Sequence, residues 1–506
     1  MQKTTTLHNL FLIIQAMTRE EKRYFKLYIK GLGKIEGHQS KLFDFLSKQE
    51  HFDEAFIKKK LKNIFPSQNK SALQINTYQN IIKSLNLLHA NTYAETKILD
   101  LLKTIKLLYV KNLFELVLPE VEKAKKLAIE HKYVALLPQI LFWEFRVKGE
   151  AFSFNDVPKV EMKKNYEEFE QALAQLHNVY TYTKGWTEFY LYVRHYYSNE
   201  DPEHNTSNPP CIQNLPEPIH LHSALLDRKI KSLQAYLDND YNSGIDHMMI
   251  SLYEIEKSPQ VIKEYFHDYV GALYRIVGSA TATKRWNIAK EYLQKFKDTP
   301  RNLWAPSTTA IYCELLFYYN FNYGNLAANT DACKQAKNLL KLHQAQLRLA
   351  VTRDLKLAMG VHYFYQKDYD RCIDYLTQLE QLKYDDINMK NTIKVVLMLA
   401  YYEKGENILL PYVVRSNYRF FKKNEPRRNF GYTITKAMSK LSKTISNEKI
   451  NKIFIELQEE LNEHHTDLYN RSIKFFNMTV WLNSKIHNIS IEKALINYRD
   501  NSPISS

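Results

Sequence analysis

The chain has 506 residues and a formal net charge of +15, from 70 Lys and Arg against 55 Asp and Glu. Gly and Pro together account for only 27 residues, roughly half of average usage, so turn-forming residues are scarce and we expect long helices. No apolar run approaches the ~18 uncharged residues of a transmembrane helix, which argues against a membrane span. The four cysteines are scattered and include no C-x-x-C pair, which argues against zinc or disulfide frameworks and favours the reducing cytoplasm.

The N-terminal segment is predicted to be folded protein and not a signal peptide. Its apolar run LFLII, residues 10–14, is too short for the hydrophobic region of a signal peptide. Thr18 and Glu21 form an S/T-x-x-E capping box, which predicts a helix start. The preceding apolar residues recur at helical spacing on one face: Leu7, Leu10, Phe11, Ile14 and Met17. We assign residues 1–95 to a basic module of short helices.

A later helix of this module is predicted to begin after Asp53, whose carboxylate can cap it. The spacing of Ile57, Leu61 and Ile64 predicts its buried face. The remaining positions are rich in lysine and are expected to point mostly outward: Lys58, Lys59, Lys60 and Lys62.

Residues 96–198 are predicted to form long helical hairpins. Two antiparallel pairs are expected, at residues 96–131 with 132–148 and at 160–183 with 184–198. Pro119 and Pro138 lie inside these apolar stretches, where a missing N–H predicts kinks or helix restarts. Residues 199–221 follow as a proline-rich loop or linker, since five of the fifteen prolines fall within residues 199–218.

Beyond the linker, a short motif recurs at steps of 40, 43 and 38 residues. The copies are RWNIAKEYL at 285, NLAANTDAC at 325, DYDRCIDYL at 368 and ENILLPYVV at 406. Each is predicted to start the second helix of a pair. In the copy that begins MGVHYFYQKDYDRCIDYL, small, aromatic and apolar residues follow a spacing that resembles the tetratricopeptide repeat: Gly360, Tyr363, Cys372, Leu376 and Leu379.

This resemblance is clearest at residues 353–386, although the family's characteristic Trp is absent and Tyr384 stands at its final Pro position. It implies an all-α fold, a solenoid of helical hairpins at 222–424 that follows the N-terminal bundle and is closed by capping helices at 425–506. It also implies a peptide groove on the first helix of the best repeat, lined by Asp354, Leu357, Val361, Phe364 and Tyr365. The alternative is that these side chains are buried against other helices.

Positive charge is concentrated in two regions. Residues 1–132 hold 23 Lys and Arg against 13 Asp and Glu, and residues 415–452 hold 11 against 2. The second region begins with a possible polyanion patch: Arg415, Arg419, Lys422, Lys423, Arg427 and Arg428. Cations with neighbouring aromatics are typical of nucleic-acid surfaces, but the solvated end of a helix has the same composition.

No motif of a catalytic, cofactor-binding or metal-binding site is present. His464, His465 and Asp467 form the most metal-like cluster, but they offer too few ligands at a helix end. We therefore expect a non-enzymatic protein-protein interaction scaffold. The alternative is a nucleic-acid-associated regulator that uses the basic N-terminal helices and the 415–428 patch, as in some bacterial regulators that join a small helical module to tetratricopeptide-like repeats. An enzyme with a site assembled across distant helices stays open.

Overall fold

The computed structural model describes residues 5–31, 36–49, 52–66, 69–151, 159–198, 208–381, 387–424, 430–464 and 475–500. Throughout this part of the chain every regular element is a helix, which confirms the all-α class. Up to residue 264 the α-helices are α1 (Thr6–Ala16), α2 (Arg19–Gly31), α3 (Glu36–Ser47), α4 (Glu54–Ile64), α5 (Lys70–His89), α6 (Ala94–Val110), α7 (Phe114–Glu130), α8 (Leu137–Ala151), α9 (Lys159–Ser198), α10 (Leu221–Leu237), α11 (Tyr241–Glu256) and α12 (Pro259–Glu264).

The later α-helices are α13 (Phe266–Ala282), α14 (Trp286–Lys297), α15 (Pro306–Tyr323), α16 (Asn329–His343), α17 (Leu349–Tyr365), α18 (Tyr369–Glu380), α19 (Ile387–Lys404), α20 (Leu410–Asn424), α21 (Phe430–Leu441), α22 (Asn447–His464), α23 (Met478–Ile486) and α24 (Ile491–Asp500). None of the described helices combines the length and apolar character needed to cross a bilayer.

The chain forms two compact units. The first comprises Met1–Gly185, Asn214–Asp227 and Glu254–Phe266, and the second comprises Trp186–Gln213, Arg228–Tyr253 and His267–Ser506. These boundaries follow spatial contacts, whereas our five segments followed composition and periodicity along the chain. The five-segment division stays a prediction.

In the first unit, α1, α2, α3 and α5 pack around one apolar core. The predicted face of α1 is buried, including Leu10 and Ile14. The predicted capping box is also present, because the Thr18 N–H donates to the Glu21 carboxylate at 2.6 Å and the Glu21 N–H donates to the Thr18 hydroxyl at 3.2 Å. Local residue chemistry therefore sets where α2 begins.

Helix α4 matches its prediction at the start but not at the end. Asp53 accepts a hydrogen bond from the Phe56 N–H at 2.9 Å, and Ile57 is buried. Ile64, which we expected to be buried, is 40% exposed, and Phe65 takes the buried position at 2% exposure. Because α4 ends at Ile64, the backbone leaves the helical path at Phe65. The spacing within the helix therefore does not predict which of these two side chains faces the core.

The long hairpins differ from the prediction in two places. The expected helix at 96–131 is divided into α6 and α7, because Asn112 adopts a left-handed backbone conformation, with φ of 58°, that reverses the chain. The expected pair at 160–183 and 184–198 is instead the single 40-residue helix α9. Pro138 is the second residue of α8, which confirms a helix restart there, whereas α7 continues through Pro119.

In the second unit, the predicted helix starts are confirmed, since α14, α16, α18 and α20 begin at or shortly after them. A residue with positive φ reverses the chain before each of these helices, and the four are Lys284, Gly324, Lys367 and Gly405. The first helix of each later pair is buried on all sides; α17 alone buries 12 of its 17 residues. The second helices bury one stripe each, as Cys372, Leu376 and Leu379 do in α18.

The C-terminal segment, residues 475–500, contacts the ends of these first helices. The Trp481 indole donates to Glu403 at 2.6 Å, at the end of α19. The Asn477 N–H donates to the Tyr365 hydroxyl at 3.2 Å, at the end of α17. Further along, the Lys284 ammonium, just after α13, donates to the Tyr498 carbonyl at 2.8 Å. The segment therefore runs from one helix pair to the next.

The packing of α20 on α21 depends on a glycine. A Cβ at Gly431 would lie 2.5 Å from Cδ1 of the buried Phe421 ring and nearer still to Cε1. We expect Gly431→Ala to lower the free energy of unfolding by ~1–3 kcal/mol through overpacking, as measured by urea denaturation. Gly278→Ala is the matched control, because nothing lies within 4 Å of its added Cβ, and we expect it to be neutral or slightly stabilising. Equal effects of the two substitutions would contradict this view of the α20–α21 contact.

Candidate functional site

Helix α20 has one buried face. Leu410, Val414, Asn417 and Phe421 recur at helical spacing and are all buried. The Asn417 amide donates to the carbonyl of Lys394 in α19 at 3.0 Å. This polar contact within an apolar stripe holds α20 against α19 in one rotational setting, so its opposite face is presented to solvent.

The exposed face begins in the turn that precedes α20. Ile408 is 78% exposed and Leu409 is 46% exposed, while Tyr412 in the first turn is 67% exposed. Steps of four, three, four and three residues then continue the stripe from Ile408 and Tyr412 to three cations: Arg415, Arg419 and Lys422. Lys423 is exposed beside them. We call Ile408, Leu409, Tyr412, Arg415, Arg419, Lys422 and Lys423 the α20 face.

The cations of the α20 face have no carboxylate within 4 Å in the part of the chain that the structure describes. Some cations elsewhere in this unit do have such partners, as Lys394 has Glu380 at 2.6 Å. The helix macrodipole favours Lys422 and Lys423, which lie in the last turn. Its effect falls off within one turn, so it does not account for Arg415. Of the predicted polyanion patch, Arg427 and Arg428 lie outside the described residues.

The predicted groove residues lie in the core of the second unit. Leu357, Val361 and Phe364 are fully buried and Tyr365 is 6% exposed; Asp354 is partly exposed. This burial is what we expect if these side chains pack against other helices instead of lining a groove. The four buried side chains are closed to a ligand in this structure.

Part of the cover over these residues comes from the C-terminal segment. The Phe476 ring stacks on Tyr365 with centroids 5.7 Å apart and meets Phe364 edge-on at 5.1 Å. Burial raises the pKa of the Tyr365 hydroxyl, so this group stays protonated. A segment of the same chain therefore occupies the surface on which we expected a peptide.

The cysteines show no sign of activation. Cys313, Cys333 and Cys372 are buried, and burial raises the pKa of Cys313 to about 12. Burial also raises the pKa of the partly exposed Cys211. Within the described residues no three His, Cys, Asp or Glu side chains come together to hold a metal ion. His465 and Asp467 lie outside that part of the chain.

Comparison of the chain with models of known protein families, with curated protein sequences and with solved structures finds no match. The helical pairs of the second unit are compatible with a helical repeat protein. The finer resemblance to the tetratricopeptide repeat stays a prediction, because no family model matches the chain.

Sequence reasoning missed two parts of the site. The apolar end of the α20 face was hidden because Ile408 and Leu409 are adjacent to the buried Leu410, and a run of three apolar residues does not reveal which of them face solvent. The role of Phe475 and Phe476 was missed because their contacts with Phe321 and Phe364 are far apart in sequence.

Phe476 is expected to be a structural part of this core. We expect Phe476→Ala to lower the free energy of unfolding by ~3–5 kcal/mol, because a cavity replaces the ring between Phe364 and Tyr365. Urea denaturation monitored by circular dichroism measures it. Leu342→Ala is the control in the same unit, since Leu342 is 58% exposed, and we expect an effect below ~1 kcal/mol. A Phe476→Ala protein as stable as the control would show that the segment is not part of the core.

Proposed function

We propose that this protein is a non-enzymatic interaction scaffold that binds an acidic segment of another protein on the α20 face. The helical pairs of the second unit, arranged as a tetratricopeptide-like solenoid, form the rigid frame. Three buried thiols suit a reducing compartment, so the proposed location is the cytoplasm. The observation that carries the proposal is the run of exposed cations on α20 that have no carboxylate partner among the described residues.

Electrostatics favours an acidic partner. An exposed ion pair contributes little by itself, about 0–1 kcal/mol, but several aligned charges steer association and select the sign of the partner. Arg415 and Arg419 can each form bidentate hydrogen bonds with a carboxylate. From Ile408 to Lys422 the stripe is ~21 Å long at 1.5 Å per residue, enough to contact about six residues of an extended strand.

The apolar end of the stripe favours protein over nucleic acid. Ile408 and Leu409 offer aliphatic surface, which can bury an apolar anchor of the partner. Phosphate contacts do not use such side chains. The partner is therefore an acidic segment with one large apolar residue at the end that meets Ile408.

A nucleic-acid-associated regulator is the second candidate. Tyr412 beside Arg415 and Arg419 combines an exposed ring with cations, as single-strand binding requires. In the basic N-terminal module, Lys59, Lys60 and Lys62 of α4 are exposed as well. The aliphatic residues of the α20 face have no part in this candidate, which is why we place it second.

Fluorescence anisotropy tests the proposal. The labelled probes are a peptide with six Glu or Asp residues and one terminal Leu, and single-stranded and duplex oligonucleotides. We expect Arg415→Ala/Arg419→Ala to weaken peptide binding about tenfold, because two charge-assisted contacts are lost. We expect Ile408→Ser to weaken peptide binding severalfold and to leave oligonucleotide binding unchanged.

Lys334→Ala/Lys341→Ala is the control, since it removes two exposed cations from α16 and changes the net charge equally. Peptide affinity that is unchanged in the Arg415/Arg419 variant, or reduced equally in the control, would refute the acidic-segment proposal. Tight, strongly salt-dependent oligonucleotide binding that is lost only in the Arg415/Arg419 variant would establish the second candidate.

A further inference from the structure

The first unit contains a cavity of about 1000 Å³ that the proposed function does not use. Its lining comes from the end of α7, the turn between α7 and α8, the start of α8, the first half of α9, residues 218–224 and residues 254–261. All of these segments belong to the first unit. A cavity of this volume is at the upper end of the range for small-molecule sites.

Part of the cavity wall is apolar and well packed. Ala128, Val134, Leu141, Ala172 and Val261 line it and are each at most 8% exposed. Ile129 and Ile219 also line it and are 49% and 53% exposed, so part of the apolar wall remains accessible from solvent. Such a wall binds an apolar body, since burying each methylene contributes ~0.8 kcal/mol.

Three lysines and three glutamates line the cavity. Each of these glutamates has a lysine within 4 Å: Glu168 has Lys125 at 2.5 Å, Glu254 has Lys257 at 2.5 Å, and Glu130 has Lys126, which does not line the cavity, at 3.9 Å. Lys132 also lines the cavity and has no carboxylate within 4 Å among the described residues. It lies in the left-handed turn between α7 and α8, with φ of 58°. Lys132 is thus the one lining lysine without a carboxylate partner among the described residues.

His220 adds a hydrogen-bond donor to this lining. Its Nδ1 accepts the His222 N–H at 3.1 Å, so the ring proton is on Nε2. Within the described residues no acceptor is bonded to that Nε2–H. Burial, followed by the positive charges of His222 and Lys132, lowers the pKa of His220 to about 4. The ring is therefore neutral at pH 7 and offers one donor from this nitrogen.

We propose that this cavity binds an amphipathic monocarboxylate, whose anionic head lies near the Lys132 ammonium and the His220 Nε2–H and whose apolar body lies against the Val134 and Leu141 wall. A carboxylate accepts both donors, and the ammonium adds a charge-assisted bond. A dianion or a phosphate finds only one lysine without a carboxylate partner among the described lining residues, and a neutral lipid leaves that lysine unused. This inference is independent of the α20 face.

The carboxylate can come from a small molecule or from the C-terminus of a peptide, and the probes separate the two sources. Isothermal titration calorimetry with the full chain uses decanoate, decanol, and a Leu-rich tetrapeptide with either a free or an amidated C-terminus. We expect decanoate to bind and decanol to bind at least tenfold more weakly. Binding of the free-acid peptide without decanoate would support carboxylate recognition with a peptide as its source.

Two variants test the residues. Lys132→Asn removes the charge and keeps a residue type that tolerates the left-handed backbone, and we expect it to weaken decanoate about tenfold. Ile219→Glu adds an anion at an exposed lining position and should abolish decanoate binding. Lys123→Asn is the control, because it removes a lysine that is 62% exposed and whose partner Glu120, like Lys123 itself, does not line the cavity. Circular dichroism confirms that all three variants are folded.

Three results would overturn the inference. Decanol could bind as tightly as decanoate, which would show that the cavity does not recognise the charge. Lys132→Asn could bind the carboxylate probes as the unmodified chain does. The third such result is a failure of both decanoate and the free-acid peptide to bind at millimolar concentration.

Discussion

The second unit depends on helices whose apolar residues extend around most of their circumference and must therefore be enclosed. Burying a Leu or Phe side chain contributes ~1.5–3 kcal/mol, and α17 buries residues all round, including Leu355, Val361 and Phe364. Its hairpin partner α18 has a single apolar stripe and can cover only one side of it. The other sides are covered by α15, α19 and the C-terminal segment. The α17–α18 pair therefore cannot bury its own apolar surface.

This requirement explains why the surface expected to bind a peptide is occupied. A groove that stays open to ligands needs first helices with one exposed face, but α15, α17 and α19 are buried around most of their circumference. Phe476 and Trp481 therefore serve as core residues, and Glu403 is held by the Trp481 indole and by the Lys485 ammonium at 2.6 Å. In our proposal, partner binding falls to the outward sides of the second helices. Among these, α16 and α18 each carry a cation paired with an acid, Lys334 with Asp331 and Arg371 with Asp368, whereas the cations of the α20 face have no such partner among the described residues.

Local features of the fold were predictable from the sequence because their causes are local. The capping box at Thr18, the cap at Asp53 and the starts of the second helices each depend on residues within one or two turns. The cationic part of the α20 face was predictable for the same reason. The burial of the expected groove residues was not predictable, since the burial of Tyr365 depends on the Phe476 ring, more than one hundred residues away. The cavity lining was not either, because it joins residues near 130, 170, 220 and 257.

The turns explain why a regular structure left so weak a repeat in the sequence. Reversing the chain after a helix requires one residue with positive φ, and in successive pairs this residue is Lys284, Gly324, Lys367 and Gly405. Each turn is closed by the same bond across five residues, as from the Asp368 N–H to the Tyr363 carbonyl at 2.9 Å. Lysine adopts this conformation at a cost of ~1–2 kcal/mol, which the burial of the flanking helices offsets. The repeated constraint is therefore backbone geometry together with the position of an apolar stripe. Many residue types satisfy both, so a search for recurring glycine or proline detects only some of the turns.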